Sequence, residues 1–153
     1  MDKNTLKVLM CEVPQFDKLD SGEIEIMANH VEYRKMPAGA TLLEEGSPGD
    51  SLYYVVGGLI EIRKEAMDGT QTILSQFTKG AAIGEMGLIE KDSKRSATAK
   101  VIKEAEFLVL SRKNFNDIIE RHPKVAIKVL LSIASTIASR LRHTSGRFAD
   151  IFK

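Results

Sequence analysis

Tryptophan is absent from this 153-residue chain, cysteine occurs once, and neither sign of charge dominates, with 22 Lys+Arg against 21 Asp+Glu. Each scarcity excludes something. A single thiol, Cys11, can form neither an intrachain disulfide nor a cysteine-based metal site, so a reducing compartment is expected. Set among Leu9, Met10 and Val13, that thiol is expected to pack as a small apolar side chain. A formal net charge of +1, with no block of Lys and Arg, leaves no electrostatic basis for binding nucleic acid. The most apolar stretch, residues 125–138, is interrupted by Lys128, Ser132, Ser135 and Thr136, so no transmembrane span is expected. The opening Met-Asp-Lys-Asn lacks the apolar core of a signal peptide. His30, His122 and His143 fall in separate segments, with no carboxylate or cysteine at metal or triad spacing, and read as surface or capping side chains. The expectation is a soluble, cytoplasmic protein with no metal and no membrane role. At this length one domain is expected over residues 1–153, burying about two-thirds of its surface on folding.

What is present falls into three parts. Residues 1–30 read as short helices broken by Pro14 and by Ser21-Gly22, with Asp20 or Ser21 as an N-cap. Residues 31–110 turn to short β-rich runs separated by glycine and proline: 31–36, 41–45, 51–56, 59–66, 70–77, 97–102 and 106–110. Gly57-Gly58 and Asp68-Gly69 both read as two-residue hairpin turns. No connection is long enough for a crossover helix, and 85–91 allows only a turn or two of helix, so an antiparallel roll or barrel is expected. Residues 111–153 return to helix. Ser111 is placed to cap a segment with Phe115, Ile118 and Ile119 on one face, and His122-Pro123 starts another. In that last helix Ile127, Leu130, Ala134, Ile137, Leu141, Thr144, Phe148 and Ile151 alternate at three and four. The first turns of this seam are expected to pack on the domain's own body, and the later turns on a second copy. Gly146 is expected to weaken or end the helix.

The chemistry is concentrated in Ile83-Gly84-Glu85-Met86-Gly87-Leu88, followed by Arg95-Ser96-Ala97. Small residues free backbone N–H groups for an anion, and arginine adds a donor fork that fits a phosphate. Glu85 can only accept hydrogen bonds, so it calls for a donor such as a ribose hydroxyl. Phosphate and sugar hydroxyl on one small molecule describe a nucleotide.

These two segments, with Leu52-Tyr53-Tyr54-Val55-Val56-Gly57-Gly58 and Ile73-Leu74-Ser75 ahead of them, resemble the cyclic nucleotide-binding domain family. They match its phosphate-binding cassette, Gly-Glu-x-x-Leu and then Arg-Ser/Thr/Ala-Ala, at the family's spacing. The resemblance is nearest to the sensor halves of bacterial catabolite-activator-type regulators. It implies an α+β, mainly β fold: an antiparallel jelly-roll barrel with short N-terminal helices, a short cassette helix and a long C-terminal helix. It also implies that Glu85 meets the ribose 2′-hydroxyl beside the Gly84 and Met86 backbone. Arg95 would pair with the cyclic phosphate, with the Ser96 hydroxyl and the Ala97 N–H, and Leu74 and Ile83 would line the apolar side near the base. Thr144 and Ser145, 21 and 22 residues after Pro123, stand at the family's base-reaching positions, one of them acting across a dimer. Serine rather than threonine at position 96 favours cAMP over cGMP. Ala81 and Ala82 replace the Asp and aromatic often found before the cassette, which leaves that wall of the pocket thinner.

The chain stops eight residues after Ser145, too few for a helix-turn-helix, so it is not expected to bind DNA by itself. The function expected is a non-enzymatic regulatory sensor, homodimeric through its C-terminal helix and acting on a downstream protein. The alternative is a dimerisation scaffold of the same fold with a degenerate site. An enzyme acting on cyclic nucleotides would need metal ligands or a nucleophile beside the phosphate, and the cassette offers neither.

Overall fold

The computed structural model describes residues 1–152 and runs from helices through an antiparallel sheet to helices again. Helix α1 (Lys3–Cys11) opens on Asp2, whose carboxylate accepts the Thr5 N–H at 3.0 Å. A 3₁₀ turn (Pro14–Phe16) leads to α2 (Ser21–Ala28), where Asp20 and Glu23 form a reciprocal capping box. Cys11 is exposed rather than packed. Leu6 and Met10 form the buried face of α1, and the next residue is turned about 100° away toward solvent.

The strands are β1 (Val31–Met36), β2 (Thr41–Leu43), β3 (Ser51–Glu65), β4 (Gln71–Phe77), β5 (Ala82–Ile83) and β6 (Thr98–Ser111). They pair in the order β1-β6-β3-β4, with β2 on β6 and β5 on β3, and every named pairing is antiparallel. Asp68-Gly69 closes the β3–β4 hairpin as expected, with Gly69 at φ 83° and the Ala66 N–H on the Thr70 carbonyl at 2.8 Å.

Gly57-Gly58 does not reverse the chain. Strand β3 runs straight through it, and residues 97–110, expected as two strands, form one. The register shifts of the β3–β6 ladder cluster between Val55 and Ile60. There Gly58 takes φ 94°, and a Cβ on it would lie 2.5 Å from the Ala105 Cα. Close backbone approach explains the pair: the glycines bend one long strand at a bulge, where a hairpin would need the strand to end. The resulting roll is an open sheet folded over on itself and not a closed barrel.

Two cores follow from the alternation along β3. Leu52, Tyr54 and Val56 join Leu108 and Leu110 under the helices, while Tyr53, Val55, Phe107 and Val109 fill the inside of the roll. Buried on both faces, residues 52–56 form an unbroken apolar or aromatic run.

Ser111 caps α4 (Arg112–Arg121) by accepting the Asn114 N–H at 3.1 Å. After His122, α5 (Pro123–Ile151) extends for 29 residues. Gly146 does not end it; open space surrounds that position, and the cost of an interior glycine is only about 1 kcal/mol. The first turns of α5 rest on the body through Val125, Ala126, Val129 and Ile133. This is a different face from the seam expected to pack there. Ile127, Leu130, Ile137, Leu141, Phe148 and Ile151 are all exposed on the single chain. No helix among the described residues is long and apolar enough to cross a membrane.

Candidate functional site

Strand β5 hands over to a five-residue helix, α3 (Glu85–Ile89), through Gly84 in the left-handed region at φ 85°. The chain then loops back through Asp92, at φ 62°, and Arg95 is anchored against the 46–50 loop. The Arg95 N–H donates to the Ser47 carbonyl, and the Arg95 carbonyl accepts the Gly46 N–H, each at 2.8 Å. That anchorage sends the Arg95 side chain inward, into a cradle of three glycines. A Cβ on Gly49 would stand 2.4 Å from Arg95 Nε, and on Gly84 or Gly87 it would stand 2.7 or 2.6 Å from Nη1. The cassette glycines therefore do more than free backbone amides. They make room for a guanidinium.

Arg95 as a whole is 9% exposed, with Nη2 donating to the Ser51 carbonyl at 3.0 Å and Nη1 to the Gly84 carbonyl at 3.2 Å. Burial lowers its pKa, and nearby Tyr53, Asp50 and Glu85 push the other way; arginine stays charged in any case. Two carbonyls take two of its five N–H groups, which leaves three for an anion.

Arg95 and Glu85 line one concavity, together with Ile83, Gly84, Met86, Ser96 and Ala97. Seven of the ten residues predicted from the sequence are thus brought together. The Ser96 carbonyl is held from outside by Lys64 Nζ at 2.6 Å, which fixes the peptide leading into Ala97. Leu43 and Ile62 add apolar lining that the sequence reading passed over; both face Ala99 in the β2–β6 and β3–β6 registers.

The remaining residues lie elsewhere. Leu74, on β4, is 46% exposed and is not part of the concavity. Thr144 and Ser145 sit on the exposed part of α5, beside Phe148 and Phe152, in a shallow cleft of their own. Leu74 therefore belongs with the outer surface of the β3–β4 hairpin, and Thr144 and Ser145 do not reach the cassette within one chain.

The residue of α5 that does reach it is Arg140. Its Nη1 donates to Glu85 Oε1 at 2.8 Å, its Nη2 donates to the Ala82 carbonyl, and the guanidinium lies 4.8 Å from the centroid of the Phe77 ring. It covers the wall that Ala81 and Ala82 leave thin. Its position was available from the pattern: Val125, Val129 and Ile133 define the inward face of α5, and Arg140 is seven residues on, two turns further along that face. The seam expected from Ile127 to Ile151 runs along a neighbouring stripe and does not include it.

Among the described residues no group of three or more His, Cys, Asp or Glu side chains is placed to hold a metal ion. Of the histidines, His30 caps α2 from Nδ1, 2.7 Å from the Ile26 carbonyl, and meets Asp117 through Nε2 at 2.7 Å.

A roll that presents a glycine-cradled arginine and a carboxylate on one short loop-helix-loop defines a class. The profile of the cyclic nucleotide-binding domain matches residues 33–122, more than half of the chain, and the protein belongs to that family. It is 30% identical over 128 residues to the cAMP-activated global transcriptional regulator CRP of Salmonella typhimurium, an overlap covering 84% of this chain and 59% of that protein. The chain thus spans about three-fifths of the length of the curated relatives it matches. Among solved structures, the Thermus thermophilus catabolite activator protein superposes with a TM-score of 0.77 at 27% identity, over 90% of this chain and 62% of that one. A cyclic nucleotide-binding domain from Methylobacillus flagellatus superposes with a TM-score of 0.84, over 97% of this chain and 83% of that one. At 24% identity, that likeness is one of fold.

Proposed function

We propose that this chain is a regulatory sensor that binds cAMP in preference to cGMP, dimerises through α5 and signals to a protein partner without catalysis. The observation that carries the reading is the convergence of Arg95 and Glu85, a donor fork and an acceptor, on one concavity. N–H groups that Arg95 has free meet the cyclic phosphate, joined by the Ser96 hydroxyl and the Ala97 N–H. Arg140 occupies Glu85 Oε1, so Oε2 is the oxygen left to accept the ribose 2′-hydroxyl. Serine at position 96 and a relative described as cAMP-activated both support cAMP as the ligand.

Because Arg140 belongs to α5, occupancy at Glu85 alters a contact of that helix directly, and the ligand shifts the helix between positions. The exposed seam of Ile137, Leu141 and Phe148 supports pairing with a second α5. Pairing would bring the other copy's Thr144 and Ser145 into range of the base. A near-neutral chain supports a protein as receiver of the signal, with the cytoplasm as its setting.

Isothermal titration with cAMP and cGMP tests the reading. Micromolar binding, equivalent to about 8 kcal/mol, is expected for cAMP and weaker binding for cGMP. No heat from either nucleotide up to millimolar concentration would leave the scaffold reading in its place.

A further inference from the structure

Three consecutive carbonyls, those of Gly49, Asp50 and Ser51, are held by only two residues. The Gly49 carbonyl accepts from Arg112 Nη2 at 2.7 Å, the Asp50 carbonyl from the Arg112 backbone N–H at 2.7 Å, and the Ser51 carbonyl from Arg95 Nη2 at 3.0 Å. Both arginines also grip the cassette helix, at opposite ends. Arg95 takes the Gly84 carbonyl at 3.2 Å, just before α3. Arg112 takes the Gly87 carbonyl from Nε at 3.1 Å, midway along α3, and the Glu90 carbonyl from Nη2 at 3.0 Å, where α3 ends. Residues 49–51 and α3 are therefore two rails, with a guanidinium as the rung at each end. Arg112 is also the first residue of α4, and a single residue, His122, separates α4 from α5. The half-buried Arg112 spends its Nε and Nη2 donors on carbonyl oxygens, so its role is that of a mechanical strut.

We propose that Arg112 is the positioning residue through which phosphate occupancy at Arg95 is transmitted to the C-terminal helices. A phosphate on the N–H groups that Arg95 has free competes for the guanidinium and weakens its bonds to the Ser51 and Gly84 carbonyls, which loosens one rung. The rails then pivot on the other rung, and Arg112 carries that displacement into α4 and across His122 into α5. This route is separate from the Arg140–Glu85 contact, which acts on α5 from the pocket side. The trigger rests on the proposed nucleotide reading; the double rung does not. Coupling through a hydrogen-bonded element of this kind is a statement about free energy, and it is measured as non-additivity.

Hydrogen exchange over residues 112–121 and 123–151 tests it, with titration calorimetry alongside. In the wild type, saturating cAMP is expected to change exchange at 112–121 severalfold. Arg112→Gln is expected to keep cAMP affinity within about tenfold while that change falls to less than about twofold, and Arg112→Lys to restore part of it. A ligand-free arm uses Arg95→Gln, which removes the first rung: exchange at 112–121 should rise, and the same substitution in an Arg112→Gln background should add nothing. If Arg112→Gln does not fold, Arg112→Lys carries both arms, with partial loss expected. An undiminished cAMP response in the Arg112 variant, or strict additivity of the two substitutions, overturns the proposal. Failure of the wild type to bind either nucleotide would sink the nucleotide reading alone, because the ligand-free arm still decides the double rung.

Discussion

The two ends of the concavity are built on different plans. At one end, Arg95 is enclosed by Gly49, Gly84 and Gly87 and bonded to the Ser51 and Gly84 carbonyls, all within the roll. At the other end, Glu85 is met by Arg140, 55 residues away on a helix whose distal half is exposed on a single chain. The first end is complete in one chain, with polar atoms already placed. The second depends on where α5 lies and on what covers its apolar seam. The proposed sensor role needs both: a grip on the invariant part of the ligand, and a movable wall whose position reports that the grip is occupied.

Substitutions at the two ends should separate these roles. The largest effect is expected from Arg95→Gln, which removes two or more charged hydrogen bonds to phosphate; calorimetry should show cAMP affinity falling by at least about 100-fold. Comparable loss from Arg140→Ala would erase the distinction between a gripping end and a reporting end. Second, Leu141→Asp on the seam should convert a dimer to a monomer in sedimentation equilibrium, with the melting temperature of the roll little changed, because Leu141 is 64% exposed on one chain. Third, Glu85→Gln keeps the acceptor oxygen but loses its charge and the Arg140 ion pair, and should weaken cAMP binding by about tenfold. Fourth, Thr144→Ala with Ser145→Ala should cost only a few-fold in affinity, and only in the dimer; the same loss in a Leu141→Asp background would place those hydroxyls in the pocket of their own chain.

The smallest effect concerns pH and lies away from the ligand. The His30 hydrogen bond, followed by Arg121, holds the Asp117 carboxyl below its ordinary value of 3.8. A lowered carboxylate pKa adds stability above the ordinary value and loses it as pH falls through the lowered one. Asp117→Asn should therefore lower the urea midpoint at pH 6 slightly and make no difference at pH 2, with nucleotide affinity unaltered.

Much of this was legible in the chain because it is local. Asp20, Ser111 and Pro123 mark helix starts by chemistry confined to a single turn, and each stands where it was expected. The cassette was equally readable, since Gly84, Glu85, Arg95 and Ser96 act within a dozen residues of one another. What escaped was set by partners far along the chain. Gly57-Gly58 has the composition of a turn, and only the nearness of Ala105 shows that it is a bend in one continuous strand. Leu74 has the apolar character of a pocket wall, yet its place on the β3–β4 hairpin turns it outward. On α5 two apolar stripes run side by side, and periodicity alone could not say which one the roll would bury. The stripe of Val125, Val129 and Ile133 won because α4 and the N-terminal helices complete its packing. Arg140 went unnoticed for the same reason.

The long pairing of β3 with β6 also governs the order of events in folding. Its rungs join Ser51 to Ser111 and Arg63 to Thr98, so the β4, β5 and α3 segments all lie within the loop that this ladder closes. Closure at such sequence separation is the slow, entropically costly step for a β-rich domain. The site that surrounds Arg95 cannot exist before that step, because Gly49 and Ser51 lie outside the closed loop and Gly84, Gly87 and Arg95 within it. A bound nucleotide is accordingly expected to slow unfolding while leaving the folding rate nearly untouched, its whole stabilising effect residing in the lifetime of the native state.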